Sequence, residues 1–157
     1  MPVATRSLTL AAPLEQVWEL IGDPHHLPRW WPRVERVEDV RDGAFTEVMR
    51  TAKGKVVRAD FELAHVDSAA HSLCWEQRLA GTPFERLLSS AETEIKLAAG
   101  AGAGVGVGAG DGVGTHVTIE LRQVLNGFLT RLGSIMVRRA ALATVDEALA
   151  NLERIVG

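Results

Sequence analysis

Between Val56 and Val66 the chain alternates: Val57, Ala59, Phe61 and Leu63 fall on one side, Arg58, Asp60 and Glu62 on the other. A period of two is the mark of a strand, because successive side chains point to opposite faces of a sheet. The clean split into apolar and charged sets predicts a sheet with one face buried and one in water. Ser72 to Leu79 repeats the pattern, with Leu73, Trp75, Gln77 and Leu79 opposite Cys74, Glu76 and Arg78. Val34 to Val40 and Ala44 to Thr51 come before, ended by the turn dipeptides Asp42-Gly43 and Lys53-Gly54. Phe84 to Leu97 and Thr115 to Val124 follow, the latter with Val117, Ile119 and Leu121 inward. With Val3 to Leu10 at the start, whose Leu8 and Leu10 share a face, seven strands are predicted.

A wet-backed sheet needs a partner for its dry face, and the helical segments supply it. Pro13 suits a helix first turn, and Leu14, Val17, Trp18 and Ile21 share a side at helical spacing. Gly22-Asp23-Pro24 stops that helix, and Asp23 is placed to cap a second, short one through His25 to Trp31 before Pro32. The chain closes on a long helix, roughly Gly127 to Ile155. Its expected apolar stripe runs along Phe128, Leu132, Ile135, Met136 and Ala143, then shifts to Leu142, Val145, Leu149, Leu152 and Val156. The order predicts an α+β fold in which an antiparallel sheet wraps the terminal helix.

Eight of the fifteen glycines lie in one tract, Ala98 to Gly114, all at even positions. A GxGxxG fingerprint needs glycines at i, i+2 and i+5, and i+5 is always odd here; no GK[ST] follows either. The tract is read as a hairpin insertion at about 98–114 within a single domain, 1–157. The 157 residues fit one core. A net charge of −3 offers no broad basic field, so nucleic acid is not an expected partner. The single cysteine excludes an internal disulfide, and the absence of tyrosine excludes any phenol-based mechanism. No apolar run is long enough to span a bilayer and no secretory signal is visible, which makes the cytoplasm the expected compartment and integral membrane association unexpected.

Leu8 to Val34, reading LTLAAPLEQVWELIGDPHHLPRWWPRV, resembles the opening of the START-like helix-grip superfamily (SRPBCC), in its polyketide cyclase/dehydrase and lipid-transport branch. The shared features are a first strand ending in Ala-Pro, a helix carrying Val-Trp, Asp-Pro, and a short helix ending in Trp-Trp-Pro. The order of elements extends the likeness over the whole chain, the glycine tract excepted. The resemblance implies a strongly curved seven-stranded antiparallel sheet gripping the C-terminal helix, two short helices between strands 1 and 2, and a mostly apolar cavity between sheet and helix. It implies no cofactor.

Within that picture Trp31, Phe45, Met49, Phe61, Leu63, Trp75, Leu88, Phe128, Leu132 and Met136 are candidate walls, large and adaptable side chains suited to an apolar ligand. Each is also a plausible core residue. Gln77 shares the inward parity of Trp75 and is placed either to hydrogen-bond a ligand carbonyl or to satisfy backbone or water at a strand end. Arg139 projects into the apolar stripe, where a cation requires a carboxylate, a ligand anion, or an escape past the sheet margin; Glu92 and Glu94 are candidate internal partners. His25 and His26 are weak acid–base candidates at the expected cavity mouth. Adjacent histidines diverge by about 100°, and His65, Asp67 and His71 fall at an exposed turn, so no metal site is expected. Cys74 reads as an inert small side chain.

Two functions fit: binding, and by extension transport, of a small hydrophobic molecule such as a lipid, polyketide-like or isoprenoid compound, or a cofactor-independent cyclase/dehydratase using Arg139, Gln77 and a histidine. Aromatase/cyclase members of the family carry polar groups, arginine included, at cavity-facing strand positions; Val57, Ala59, Phe61 and Leu63 stand there in this chain, which favours binding. A protein-interaction module of the same fold is a third reading. The expected assembly is a monomer or homodimer.

Overall fold

The computed structural model describes residues 3–100, 114–127 and 131–156. Seven antiparallel strands form one curved sheet: β1 (Val3–Leu10), β2 (Val34–Arg41), β3 (Ala44–Arg50), β4 (Val56–Asp67), β5 (Ser72–Gln77), β6 (Leu88–Ala99) and β7 (Thr115–Leu125). Their order across the sheet is β1-β7-β6-β5-β4-β3-β2. Every neighbour except the β1–β7 pair is consecutive in the chain, so the sheet is a meander with the first strand added at its far edge. α1 (Leu14–Gly22) and α2 (Leu27–Trp30) carry the chain from one edge to the other, and α3 (Arg131–Val156) returns along the concave face. No helix among the described residues is long and apolar enough to cross a membrane.

Local chemistry sets the boundaries. Asp42 and Gly43 both take positive φ, 47° and 79°, as a type I′ hairpin turn between β2 and β3 demands. The Asp23 carboxylate accepts from His25 N at 3.0 Å, starting a short 3₁₀ turn that leads into α2. That hydrogen bond holds the Asp23 carboxyl below its usual range. The β6–β7 ladder runs to Ala99 opposite Thr115 and is extended by Gly100 N donating to Gly114 O at 2.8 Å. A Cβ on Gly100 would sit 3.0 Å from His116 N and from Thr9 Cγ2, so any larger residue there would press on β1 and β7. Residues 101–113, which hold most of the tract read as a hairpin insertion, lie outside the described residues.

The solid core fills one end of the molecule. Leu10 of β1, Val17 and Ile21 of α1, Leu27 and Trp30 of α2, Leu73, Ile95, Val117 and Ile119 of the sheet, and Val145 and Leu152 of α3 are fully buried together. Trp30, Trp31, Trp75, Phe45 and Phe61 continue it as an aromatic chain: Trp30 and Trp31 meet edge to face at 5.4 Å, and Phe45 stacks on Phe61 at 5.4 Å while its ring meets Trp75 at 5.5 Å.

Two expectations are corrected. Phe84 does not open a strand. It sits in a 3₁₀ turn, Pro83–Arg86, started by Thr82 Oγ1 accepting from Phe84 N, because Pro83 fixes a turn-like φ and has no N–H for a ladder. The apolar stripe of α3 is also not where hydrophobicity placed it. Ile135 and Met136 are 51% and 63% exposed and Ala143 is exposed, whereas Gly133, Ser134, Val137, Ala141 and Thr144 are covered. The seam Val145, Ala148, Leu149 and Leu152 anchors the helix, and the same face continued toward the N-terminus at spacings of three and four lands on small residues.

Candidate ligand cavity

That run of small residues leaves space. A cavity of about 280 Å³ opens between the N-terminal half of α3 and the end of the sheet remote from the core. From α3 it is lined by Val137, Ala140, Ala141 and Thr144, and from the strands by Glu47 and Met49 of β3, Phe61 of β4, Trp75 and Gln77 of β5, Ala91 and Thr93 of β6, and Leu121 and Gln123 of β7. Trp31, just after α2, closes the inner end. Exposed Ala140 with half-buried Val137 and Phe84 marks the mouth. The side chains toward the core are large enough to touch across the sheet, and those toward the mouth are not.

The expected wall residues divide. Trp31, Met49, Phe61, Trp75 and Gln77 come together on the cavity. Phe45, also on the concave side, is buried between Phe61 and Trp75 and packs as core. Leu63 packs against the main core, near Gly43, and Leu88 joins a separate small cluster with Leu79, Ala91, Phe84 and Leu125. Met136 and Arg139 are corrections: both are exposed and neither lines the cavity. Two residues on a helix are about 200° apart, so with Ala141 inward Arg139 must point away. Phe128 and the Leu132 side chain lie outside the described residues.

The histidines are elsewhere too. His25 Nδ1 lies 2.8 Å from Asp23 Oδ1, and His26 borders a groove with Glu19, Arg29 and Ile155. Ile155 is fifteen positions beyond Ala140, about 22 Å along α3, so neither histidine is at the cavity mouth. His71 Nε2 meets Glu15 Oε1 at 2.8 Å with its ring edge-on to Trp18, and Asp67 Oδ1 accepts from Ala69 N and Ala70 N in the β4–β5 turn. Among the described residues no group of three or more histidines, cysteines and carboxylates is placed to share a metal. Cys74 faces the convex side, buried, its Sγ 3.9 Å from Glu92 Oε2 and 3.8 Å from Arg122 Nη2. Burial, reinforced by Glu92, raises its thiol to about 11, out of nucleophilic range at neutral pH.

The residue missed in the sequence is Glu47. It is only 2% exposed, it lines the cavity, and its β-sheet neighbours are Val37 and the small Ala59. Burial pushes its carboxyl up to about 8, with no hydrogen bond or charged neighbour among the described residues acting on it. The other carboxylate bordering the cavity, Glu92, has its oxygens 3.8 Å from Arg122 Nε and 3.9 Å from Cys74 Sγ on the convex face. The signal for Glu47 was present: Phe45 and Met49 were both expected inward, and a strand that turns those two inward turns the residue midway between them inward as well.

A cavity between a curved antiparallel sheet and a terminal helix is the arrangement that comparison with other proteins bears on. The family described as polyketide cyclase/dehydrase and lipid transport matches residues 1–157. The chain belongs to that family. Solved structures share the architecture at low identity. The protein XoxI from Bacillus cereus superposes with a TM-score of 0.75 at 15% identity, over 99% of this chain and 96% of that one. A START superfamily protein from Mycobacterium smegmatis gives 0.71 at 14%, over 99% and 97%. The di-domain ARO/CYC BexL gives 0.75 at 19%, over 98% of this chain and 46% of BexL. No curated protein matches the sequence. These likenesses show the START-type helix-grip fold.

Proposed function

We propose that this protein binds a small hydrophobic molecule, of the lipid, polyketide-like or isoprenoid kind, in the cavity between the sheet and α3, holding it for storage or transfer. The observation that carries the reading is the cavity itself, walled by Trp31, Met49, Phe61 and Trp75 with Gln77 at one side. A guest burying on the order of 200 Å² of apolar surface gains about 5 kcal/mol, which gives moderate affinity and loose selectivity. Binding is favoured over cyclase/dehydratase chemistry because Arg139 is exposed on the far side of α3 and the cavity wall carries no histidine among the described residues. The trio proposed for that chemistry is therefore not assembled.

The test is native mass spectrometry of protein from its own host, with extraction and identification of what co-purifies, together with titration of an apolar fluorescent probe. A Phe at position 141 fills the space opposite Trp75, so Ala141→Phe is expected to lose probe binding while keeping a cooperative unfolding transition. A wild-type protein that is empty and ignores apolar probes would defeat the proposal.

A further inference from the structure

Glu47 poses a chemical question that the apolar walls do not answer. Its carboxyl is buried, it has no hydrogen-bond or ion-pair partner among the described residues, and it lies on the wall of a space large enough for a guest. Glutamine at this position would hydrogen-bond a ligand carbonyl or hydroxyl equally well and would not have to hold a proton against solvent. The wall already offers neutral groups for that purpose in Gln77, Thr93, Gln123 and Thr144. What a glutamate adds is a charge, and a buried carboxylate needs a cation that also supplies N–H donors.

Among the described residues none provides that cation. The groups facing Glu47 from the surrounding elements are Phe45 and Met49 on its own strand, Val37, Ala59 and Phe61 on the adjacent strands, Trp75, and the small residues of α3. No lysine, arginine or histidine lines the cavity among the described residues, and Glu92, the other acid there, is engaged with Arg122. Trp31, Phe61 and Trp75 add aromatic rings, whose π-electrons attract a cation and whose bulk excludes water.

We propose that the guest is a hydrophobic primary or secondary amine whose ammonium group pairs with the Glu47 carboxylate while its apolar body lies against Trp31, Phe61 and Trp75. This rests on the binding reading above and narrows its ligand class. A proton balance follows. In the empty cavity Glu47 holds its proton up to about pH 8 because burial disfavours the charged form. An ammonium group, itself charged up to about pH 10, reverses that preference, so Glu47 releases its proton to the buffer as the amine binds.

The experiment compares three probes of one skeleton, 2-(2-naphthyl)ethylamine, 2-(2-naphthyl)ethanol and 2-naphthylacetic acid, by calorimetric titration from pH 6 to pH 9 in buffers of different ionisation enthalpy. The amine is expected to bind at least tenfold more tightly than the alcohol at pH 8, to release close to one proton at pH 7, and to gain about tenfold in affinity per pH unit below pH 8. In Glu47→Gln the preference and the slope are expected to vanish while the alcohol still binds, which shows that the cavity survives the substitution. An alcohol or acid that binds wild type as well as the amine does overturns the amine assignment and leaves the binding reading standing. An amine preference or pH slope that persists in Glu47→Gln overturns it too. If none of the three binds, the cavity is not a binding site for such molecules and both readings fall.

Discussion

Glu47 carries a stability consequence apart from any ligand. Its carboxyl titrates at about 8 in the folded chain against 4.5 for an ordinary glutamate, so the unfolded chain releases a proton above pH 4.5 that the folded chain keeps. Stability is therefore lost as pH rises from 4.5 to 8 and is fully retained below 4.5. At pH 7 the loss is about 3 kcal/mol, and Glu47→Gln is expected to restore most of it. Denaturant titrations of both proteins from pH 4 to pH 9 should show the gap opening from near zero and levelling above pH 8. Cys74 gives a second check at the same scale. With its thiol at about 11 and its side chain buried, alkylation by iodoacetamide at pH 8 should be negligible in the folded protein and rapid in urea. Fast labelling of native protein would mean that the convex face opens around Arg122.

At the scale of elements, α3 is a helix with two functions along one face. Its C-terminal half seals the core through Val145, Ala148, Leu149 and Leu152, and its N-terminal half presents Val137, Ala140, Ala141 and Thr144 to the cavity. Two large apolar side chains of that first half, Ile135 and Met136, face outward. Leu152→Ala should thus cost about 2–5 kcal/mol, the usual range for emptying a sealed core position. Met136→Glu should change stability by no more than about 0.5 kcal/mol. Urea unfolding measures both, and a large loss for Met136→Glu would refute the observed rotation of the helix. The same rotation explains the space: had Ile135 and Met136 turned inward, their side chains would have occupied it.

For the whole molecule, core and cavity lie at opposite ends of one sheet, and the ends of the glycine tract, Gly100 and Gly114, are anchored at the core end. Gly100 and Gly114 bond each other beside Thr115, seven residues up β6 from Thr93, about 24 Å along the strand from the nearest cavity wall on β6. Replacing residues 101–113 by a short turn should leave the affinity and exchange rate of an apolar probe unchanged, as stopped-flow fluorescence would show. A bound probe at a hundred times its Kd should raise stability by about 2.7 kcal/mol, and Ala141→Phe should abolish that increment.

The strands, their order and their inward faces were legible in the sequence because a period of two is imposed by backbone stereochemistry, residue by residue. Val57, Ala59 and Phe61 lie on the less exposed side of β4 as their alternation demanded, and Met49, Phe61, Trp75 and Gln77 meet at the cavity for the same reason, whereas Trp31 is brought there by α2. The helix was harder to read. Ala, Val, Ile and Met all occur in helices, and which of them turns inward is decided by how Val145 and Leu152 pack in one core with Leu10, Ile119 and their neighbours, Leu10 lying more than a hundred positions away in the chain. Arg139 was misplaced along with Ile135 and Met136 by that one rotation. Glu47 combines both cases: its direction was written in the parity of Phe45 and Met49, but its isolation from every cation among the described residues was not. Desolvation depends on what the other strands and α3 bring to the same place, and only the folded chain determines that.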